Sequence, residues 1–218
     1  MDLHKAKMIV CDAGRKLVRE GLVARTWGNI SCRVDENTFV ITPSGRTYEE
    51  LTPDDIVPVR IDDLSWSGSI KPSSEKGLHA EVYKLKSDTA AVIHTHQLNA
   101  SVVASARRDI PLISDEMRDI IGEKIPCAGY GLPGTKKLKT ASAAALRETG
   151  SKAALMANHG AVCYGTDMDN AFLVATTLER VCARFVEQEY LKISGEKEFR
   201  TESMHSYYLK KNGRGGRR

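Results

Sequence analysis

The run Ala91-Val92-Ile93-His94-Thr95-His96 constrains this chain more than any other stretch. An apolar segment that gives way to alternation predicts a strand leaving a buried interior. Residues two apart on a strand share a face, so His94 and His96 point together and Thr95 points back. Two imidazoles side by side on a rigid element form a bidentate site for a borderline cation such as Zn²⁺. Such a site needs at least one more protein ligand, and a catalytic one keeps a position open for substrate. Two other segments offer the remainder. A second apolar run, residues 154–157, leads through Asn158 to His159 and Gly160, and Ser73-Ser74-Glu75 sets a carboxylate after two hydroxyls.

A single histidine is more often structural than ligating. The pair at strand spacing, joined by a third histidine and a glutamate, is what points to a metal. A cation with an open position polarises a carbonyl and stabilises the enolate formed when the adjacent C–H is deprotonated. Glu75 at the edge of that site is the candidate base, returning the proton as acid. Its competing reading is a carboxylate placed at a helix start by the helix dipole, because residues 77–85 read as a helix. His79 lies on that helix, apart from the pair; support of the site is one reading, and a packed or solvent-facing histidine is the favoured one.

Two polar loops close the same end of one hairpin, predicted from strands at 30–34 and 38–42. They are Arg25-Thr26-Trp27-Gly28-Asn29 and Pro43-Ser44-Gly45. Backbone N–H groups at Gly28 and Gly45, with donors from Thr26, Asn29 and Ser44, suit a phosphate. Taken singly such loops are ordinary turns. Ser73 and Ser74 join them only if the three segments converge.

The remaining pattern frames these pieces. Residues 3–20 predict an amphipathic helix stopped by Gly21, 97–107 a small-residue helix, and 136–148 an Ala-rich helix ended by Gly150. Pro53 opens a helical turn, 56–61 and 110–113 read as strands, and 114–119 as a polar connection. Thr166-Asp167-Met168-Asp169 resembles a capping box before the longest helix, whose stripe includes Ala171, Val174, Leu178 and Phe185. Mixed elements without a regular βαβ alternation predict a sheet covered by helices, not a Rossmann unit. No repeat or linker divides the 218 residues, so residues 1–209 read as one domain. The net charge of +4 comes largely from residues 210–218, a basic tail expected to be disordered. It has no aromatic or motif context for nucleic acid. Five dispersed cysteines without CxxC spacing predict reduced thiols. With no leader-like apolar segment and no membrane-length run, the expectation is a cytoplasmic protein without a membrane partner.

Gly28-Asn29-Ile30-Ser31, Ile41-Thr42-Pro43-Ser44-Gly45, Pro72-Ser73-Ser74-Glu75, the His79 helix, His94-Thr95-His96 and Asn158-His159-Gly160 together resemble the class II aldolase/adducin family in order and spacing. The resemblance spans nearly the whole chain and is greatest to the L-fuculose-1-phosphate aldolases. It implies an α/β fold, a three-layer α/β/α single domain with a mostly antiparallel central sheet. It also implies a homotetramer with zinc sites near subunit interfaces. Carried over residue by residue, His94, His96 and His159 match zinc ligands. Glu75 matches the acid/base, which also approaches the metal without substrate. Thr26, Asn29, Ser44, Gly45, Ser73 and Ser74 match phosphate-binding positions. The reaction implied is cleavage of a ketose 1-phosphate to dihydroxyacetone phosphate and an aldehyde through an enediolate. Another divalent transition metal suits the same nitrogen ligands.

The family's sugar-phosphate aldolases place a neighbouring subunit's tyrosine just after the Ile110-Pro111 strand, where this chain has Ser114-Asp115-Glu116-Met117. Tyr207 or Tyr208 is then the candidate donor to the aldehyde oxygen. The family's L-ribulose-5-phosphate 4-epimerases share Thr26-Trp27-Gly28-Asn29 and use a neighbouring subunit's aspartate, which raises Asp115 or Asp119. They carry Asp where this chain has Glu75, which favours the aldolase. A sugar-phosphate dehydratase and an adducin-like scaffold are the other family alternatives; three histidines kept together with Glu75 count against the scaffold.

Overall fold

The computed structural model describes residues 1–23 and 27–212. Helix α1 (Leu3–Arg19) is capped by the Asp2 side chain. It ends at Gly21 (φ 68°), where the N–H groups of Gly21 and Leu22 turn back to the carbonyls of Val18 and Leu17. Strands β1 (Asn29–Arg33), β2 (Thr38–Ile41) and β3 (Val57–Arg60) form an antiparallel meander. Helix α2 (Lys76–Leu85) crosses to β4 (Ala91–Thr95), which pairs back onto β1. Then come α3 (Leu98–Ser105), β5 (Ile110–Pro111), α4 (Asp115–Ile120), β6 (Lys124–Ile125) and β7 (Cys127–Ala128). The chain continues through α5 (Lys136–Thr149), β8 (Ala153–Met156), β9 (Gly160–Gly165), α6 (Met168–Ser194) and α7 (Thr201–Lys211).

The central sheet runs β3-β2-β1-β4-β9-β8-β7, antiparallel throughout except for the β7–β8 pair. Its inner strands are buried on both sides, and the two faces sort by strand alternation. Ile30, Cys32, Ala91, Ile93, Ala161 and Cys163 meet α1, α3 and α6 on one face. Val92, Ala154, Met156, Val162 and Tyr164 meet α2 and α5 on the other. This is the expected α/β architecture of a mainly antiparallel sheet with helices around it.

Local differences from the sequence reading have physical causes. The stretch 114–119 holds helix α4, with the Ser114 hydroxyl accepting from the N–H of Met117. Met117 alone in that helix is buried, so no apolar stripe betrays it. Helix α7 buries nothing and is silent for the same reason. Lys210 and Lys211, assigned to the basic tail, are its last residues, and 213–218 lie outside the described residues. Helix α6 is capped by Asp167, not Thr166: the Asp167 carboxylate accepts from the N–H of Asn170. All five cysteines are free, and Cys127 alone is only half-buried. Among the described residues no helix is long and apolar enough to cross a membrane.

Candidate metal centre and active site

Register places the site. On the face toward α2, β4 presents Val92 and then His94, while Asn29 of β1 stands opposite His94. His96 follows one residue beyond the strand. Its partner arrives from the β8–β9 connection, where Met156 pairs with Gly160 and only three residues lie between. Asn158 adopts the left-handed conformation there (φ 58°), which asparagine tolerates. That tight turn swings His159 over the end of β4. Gly160 allows the approach: a Cβ on it would lie 2.3 Å from the carbonyl oxygen of Thr95.

The three rings meet through their outer nitrogens. His94 Nε2 lies 3.0 Å from His96 Nε2 and 3.0 Å from His159 Nε2, and the three ligand atoms fall within 4.8 Å of one another. His94 Nδ1 is 2.8 Å from the carbonyl oxygen of Ala161, which can only accept. The proton therefore sits on Nδ1, and the Nε2 lone pair faces the cluster. Glu75 completes it, with Oε2 3.0 Å from His94 Nε2 and Oε1 3.3 Å from His159 Nε2. Glu75 Oε1 and His159 Nδ1 are buried without a hydrogen-bond partner. Lone pairs and a carboxylate converging on one point, with such orphaned atoms, fit a divalent cation. Imidazole nitrogens around tetrahedral zinc stand about 3.3 Å apart, close to the two 3.0 Å spacings from His94.

Electrostatics agree with that use. Burial holds His96 down to about 3 and His159 down to about 4, so both are neutral ligands at neutral pH. Burial alone raises the Glu75 carboxyl, but positive charge at the His94 position, then at His159, and the hydrogen bond from the Asn29 amide hold it below the usual range; with the rings neutral, a cation in the cluster exerts that pull. His79 is fully buried, which pushes it down to about 3. The unfolded chain thus protonates His79 first, and its stabilising effect, present in full above about pH 6.5, fades as pH falls. Between pH 6.5 and 5 the metal-free protein is expected to lose about 1.6 kcal/mol through this residue, read as the difference between wild type and His79→Gln in urea unfolding at the two pH values.

Above the cluster opens a cavity of about 430 Å³. Ser44, Gly45, Ser73 and Ser74 line it beside Glu75, His96 and His159, so the two loops and the Ser73 segment do converge. Among the described residues its rim carries hydroxyls and backbone donors and no lysine or arginine. Gly45 sits there at φ 74°, and the Ser73 hydroxyl accepts from the N–H of Glu75. Thr26 lies outside the described residues. Asn29 lines the cavity too, but its amide is turned inward. Its nitrogen donates to Glu75 Oε2 at 3.0 Å and its oxygen contacts His79 Nε2. Glu75 occupies the N-cap position of α2 yet makes no capping hydrogen bond there. The helix-start reading gives its position but not the direction of its side chain. His79 is the packed histidine of the sequence reading, with a more specific job than filling space.

Other residues went unread. Trp27, exposed at the rim with its ring 5.9 Å from that of His96, and Pro133 and Asn158 also line the cavity. Only the small-residue context of the loops hinted at them. Tyr207, Tyr208 and Asp115 do not line it. The Tyr207 hydroxyl donates to the carbonyl of Ile193, and Asp115 pairs with Arg118.

Residues 9–186 match the family model described as Class II Aldolase and Adducin N-terminal domain. The chain belongs to the class II aldolase/adducin family. A 5-deoxy-D-ribulose 1-phosphate aldolase of Bacillus thuringiensis is 34% identical over 86% of this chain and 87% of its own length. An L-fuculose phosphate aldolase of Escherichia coli is 32% identical over 82% and 81%. An L-ribulose-5-phosphate 4-epimerase of Salmonella paratyphi C is 31% identical over 82% and 83%. Among solved structures, an L-fuculose 1-phosphate aldolase superposes with a TM-score of 0.80 at 31% identity, covering 95% of this chain and 96% of that one. The protein is thus a lyase enzyme of the class II aldolase type, a metal-dependent class, and its three-histidine group is able to hold the metal.

Proposed function

We propose that this enzyme cleaves a ketose 1-phosphate, of the L-fuculose-1-phosphate kind, into dihydroxyacetone phosphate and an aldehyde. The observation that carries this reading is Glu75: a buried carboxylate with one unpartnered oxygen, set against three converged imidazoles on the wall of a hydroxyl-lined cavity. His94, His96 and His159 hold the metal, with Glu75 at its edge when no substrate is present. Zinc, or another divalent transition metal, supplies Lewis-acid polarisation of the substrate carbonyl when bound. Glu75 removes the proton from the carbon beside that carbonyl in the synthesis direction and returns it in the cleavage direction. Ser44, Gly45, Ser73 and Ser74, with Thr26 and the second amide hydrogen of Asn29, hold the phosphate by neutral donors and fix the reacting carbons over Glu75.

Among the described residues, the cavity of one chain offers no donor for the aldehyde oxygen beyond these groups. A neighbouring copy in a homotetramer supplies it through Tyr207, Tyr208 or Asp115, and the assembly works in the cytoplasm. The epimerase reading is favoured by the Salmonella relative at comparable identity and by Asp115. One assay separates the two. Incubation with a panel of ketose 1-phosphates and pentulose 5-phosphates is expected to release dihydroxyacetone phosphate from a ketose 1-phosphate, read by coupled reduction. Interconversion of pentulose 5-phosphates with no fragment released supports the epimerase instead and overturns the aldolase.

A further inference from the structure

Behind Glu75 runs a buried polar line of which the proposed chemistry uses only the Asn29 amide. Helix α2 carries Glu75 at its N-cap and then His79 and Tyr83, four residues apart, on one face. Strand β1 opposes that face with Asn29 and Ser31, two residues apart. The two periodicities interleave into one chain of contacts. The Tyr83 hydroxyl lies 2.7 Å from Ser31 Oγ, Ser31 Oγ lies 2.6 Å from His79 Nδ1, His79 Nε2 meets Asn29 Oδ1, and Asn29 Nδ2 donates to Glu75 Oε2. Ser31 and His79 are 0% exposed, Tyr83 2% and Asn29 4%, so water does not interrupt the line.

Every direction in it is forced. Asn29 gives its amide nitrogen to a carboxylate, so its oxygen faces His79 and can only accept. His79 must then donate from Nε2, which leaves Nδ1 to accept from the Ser31 hydroxyl. Ser31, having given its proton, accepts from Tyr83. All donors point toward Glu75. The amide of Asn29 cannot flip without setting its oxygen against a carboxylate and its nitrogen against an N–H. Glu75 Oε2 is therefore pinned, while Oε1 remains buried and without a hydrogen bond.

We propose that His79 is a positioning residue: through Asn29 it fixes Glu75 so that Oε2 is the anchored oxygen and Oε1 the oxygen that takes the proton. This deepens the aldolase reading and rests on it for its kinetic effect. Partners that orient a reacting group indirectly are worth about 10–100-fold when removed.

The test has a spectroscopic arm that needs no substrate and a kinetic arm that does. In the full chain labelled with 15N-histidine, long-range proton–nitrogen correlation is expected to show His79 as the Nε2–H tautomer from pH 5.5 to 8. An Nδ1–H tautomer or an imidazolium at His79 overturns the proposal. In kinetics, His79→Leu is expected to lower kcat about 10–100-fold with KM within about twofold and metal content unchanged. His79→Gln, which keeps a donor for Asn29, is expected to restore most of kcat. Should His79→Leu fail to fold, Ser31→Ala frees His79 Nδ1 of its donor and is expected to lower kcat severalfold while mixing the two tautomers. A kcat kept within twofold in the folded variant overturns the proposal, and so does a loss confined to KM, which would assign Asn29 to the substrate phosphate alone. A wild-type enzyme that turns over no sugar phosphate sinks the functional reading, and the tautomer still decides this one.

Discussion

Glu75→Gln is expected to leave the fold and the bound metal in place and to lower kcat by about 10²–10⁴-fold. The substitution is nearly isosteric. An amide still accepts from Asn29 through its oxygen, and three imidazoles remain to grip the cation. What disappears is the carboxylate oxygen that takes and returns a proton, the group buried 3.3 Å from His159 Nε2 without another partner. The size of the loss follows from what a positioned general base contributes, since water has little access to replace it. Steady-state kinetics on the active sugar phosphate, with metal analysis of the same preparation, check it. Turnover within about tenfold of wild type removes Glu75 from the base role.

Exhaustive chelation is expected to abolish turnover and to lower the thermal midpoint, with both regained on adding a divalent transition metal. Removing the cation leaves His94 Nε2 facing two other ring nitrogens at 3.0 Å each and a carboxylate at the same distance. A metal at about a thousandfold above its dissociation constant adds about 4 kcal/mol to folding, so the midpoint shift is readily measured by calorimetry. His94→Ala takes away the ring that touches all three other groups, and its activity is expected not to return with any metal. Full turnover after chelation ends the metal reading.

Residues of the site were legible to the extent that their chemistry is tied to spacing. His94 and His96 at a two-residue interval on an apolar strand declare a shared direction, and that direction holds because β4 lies between β1 and β9 with no freedom of register. Glu75 was legible as a carboxylate at the head of a helix. Its turn toward the histidines was not, because a helix dipole accounts equally well for an acid there. Asn29 shows the opposite limit. Its neighbours Gly28 and Ser31 mark a polar loop and strand, which suits a phosphate, and nothing in the order of residues says that its amide faces His79 and Glu75. Helices α4 and α7 escaped because periodicity is visible only where a helix buries a stripe, and these bury one residue and none.

By itself the sequence determined the composition of the machinery: three imidazoles, one carboxylate and hydroxyl-bearing loops, carried on strands and helices whose periods put like residues on like faces. It determined the fold class for the same reason, since alternation along strands and stripes along helices record which surfaces must leave water. Only the tertiary structure decided convergence. His94 and His159 are 65 residues apart and Asn29 and Glu75 are 46 apart. Their contacts arise from antiparallel pairing of β1, β4 and β9 and the packing of α2 across them. Those long-range pairings are selected by the summed burial of two cores, an energy no local stretch contains, and they alone decide which oxygen of Glu75 accepts from Asn29 and which has no hydrogen-bond partner.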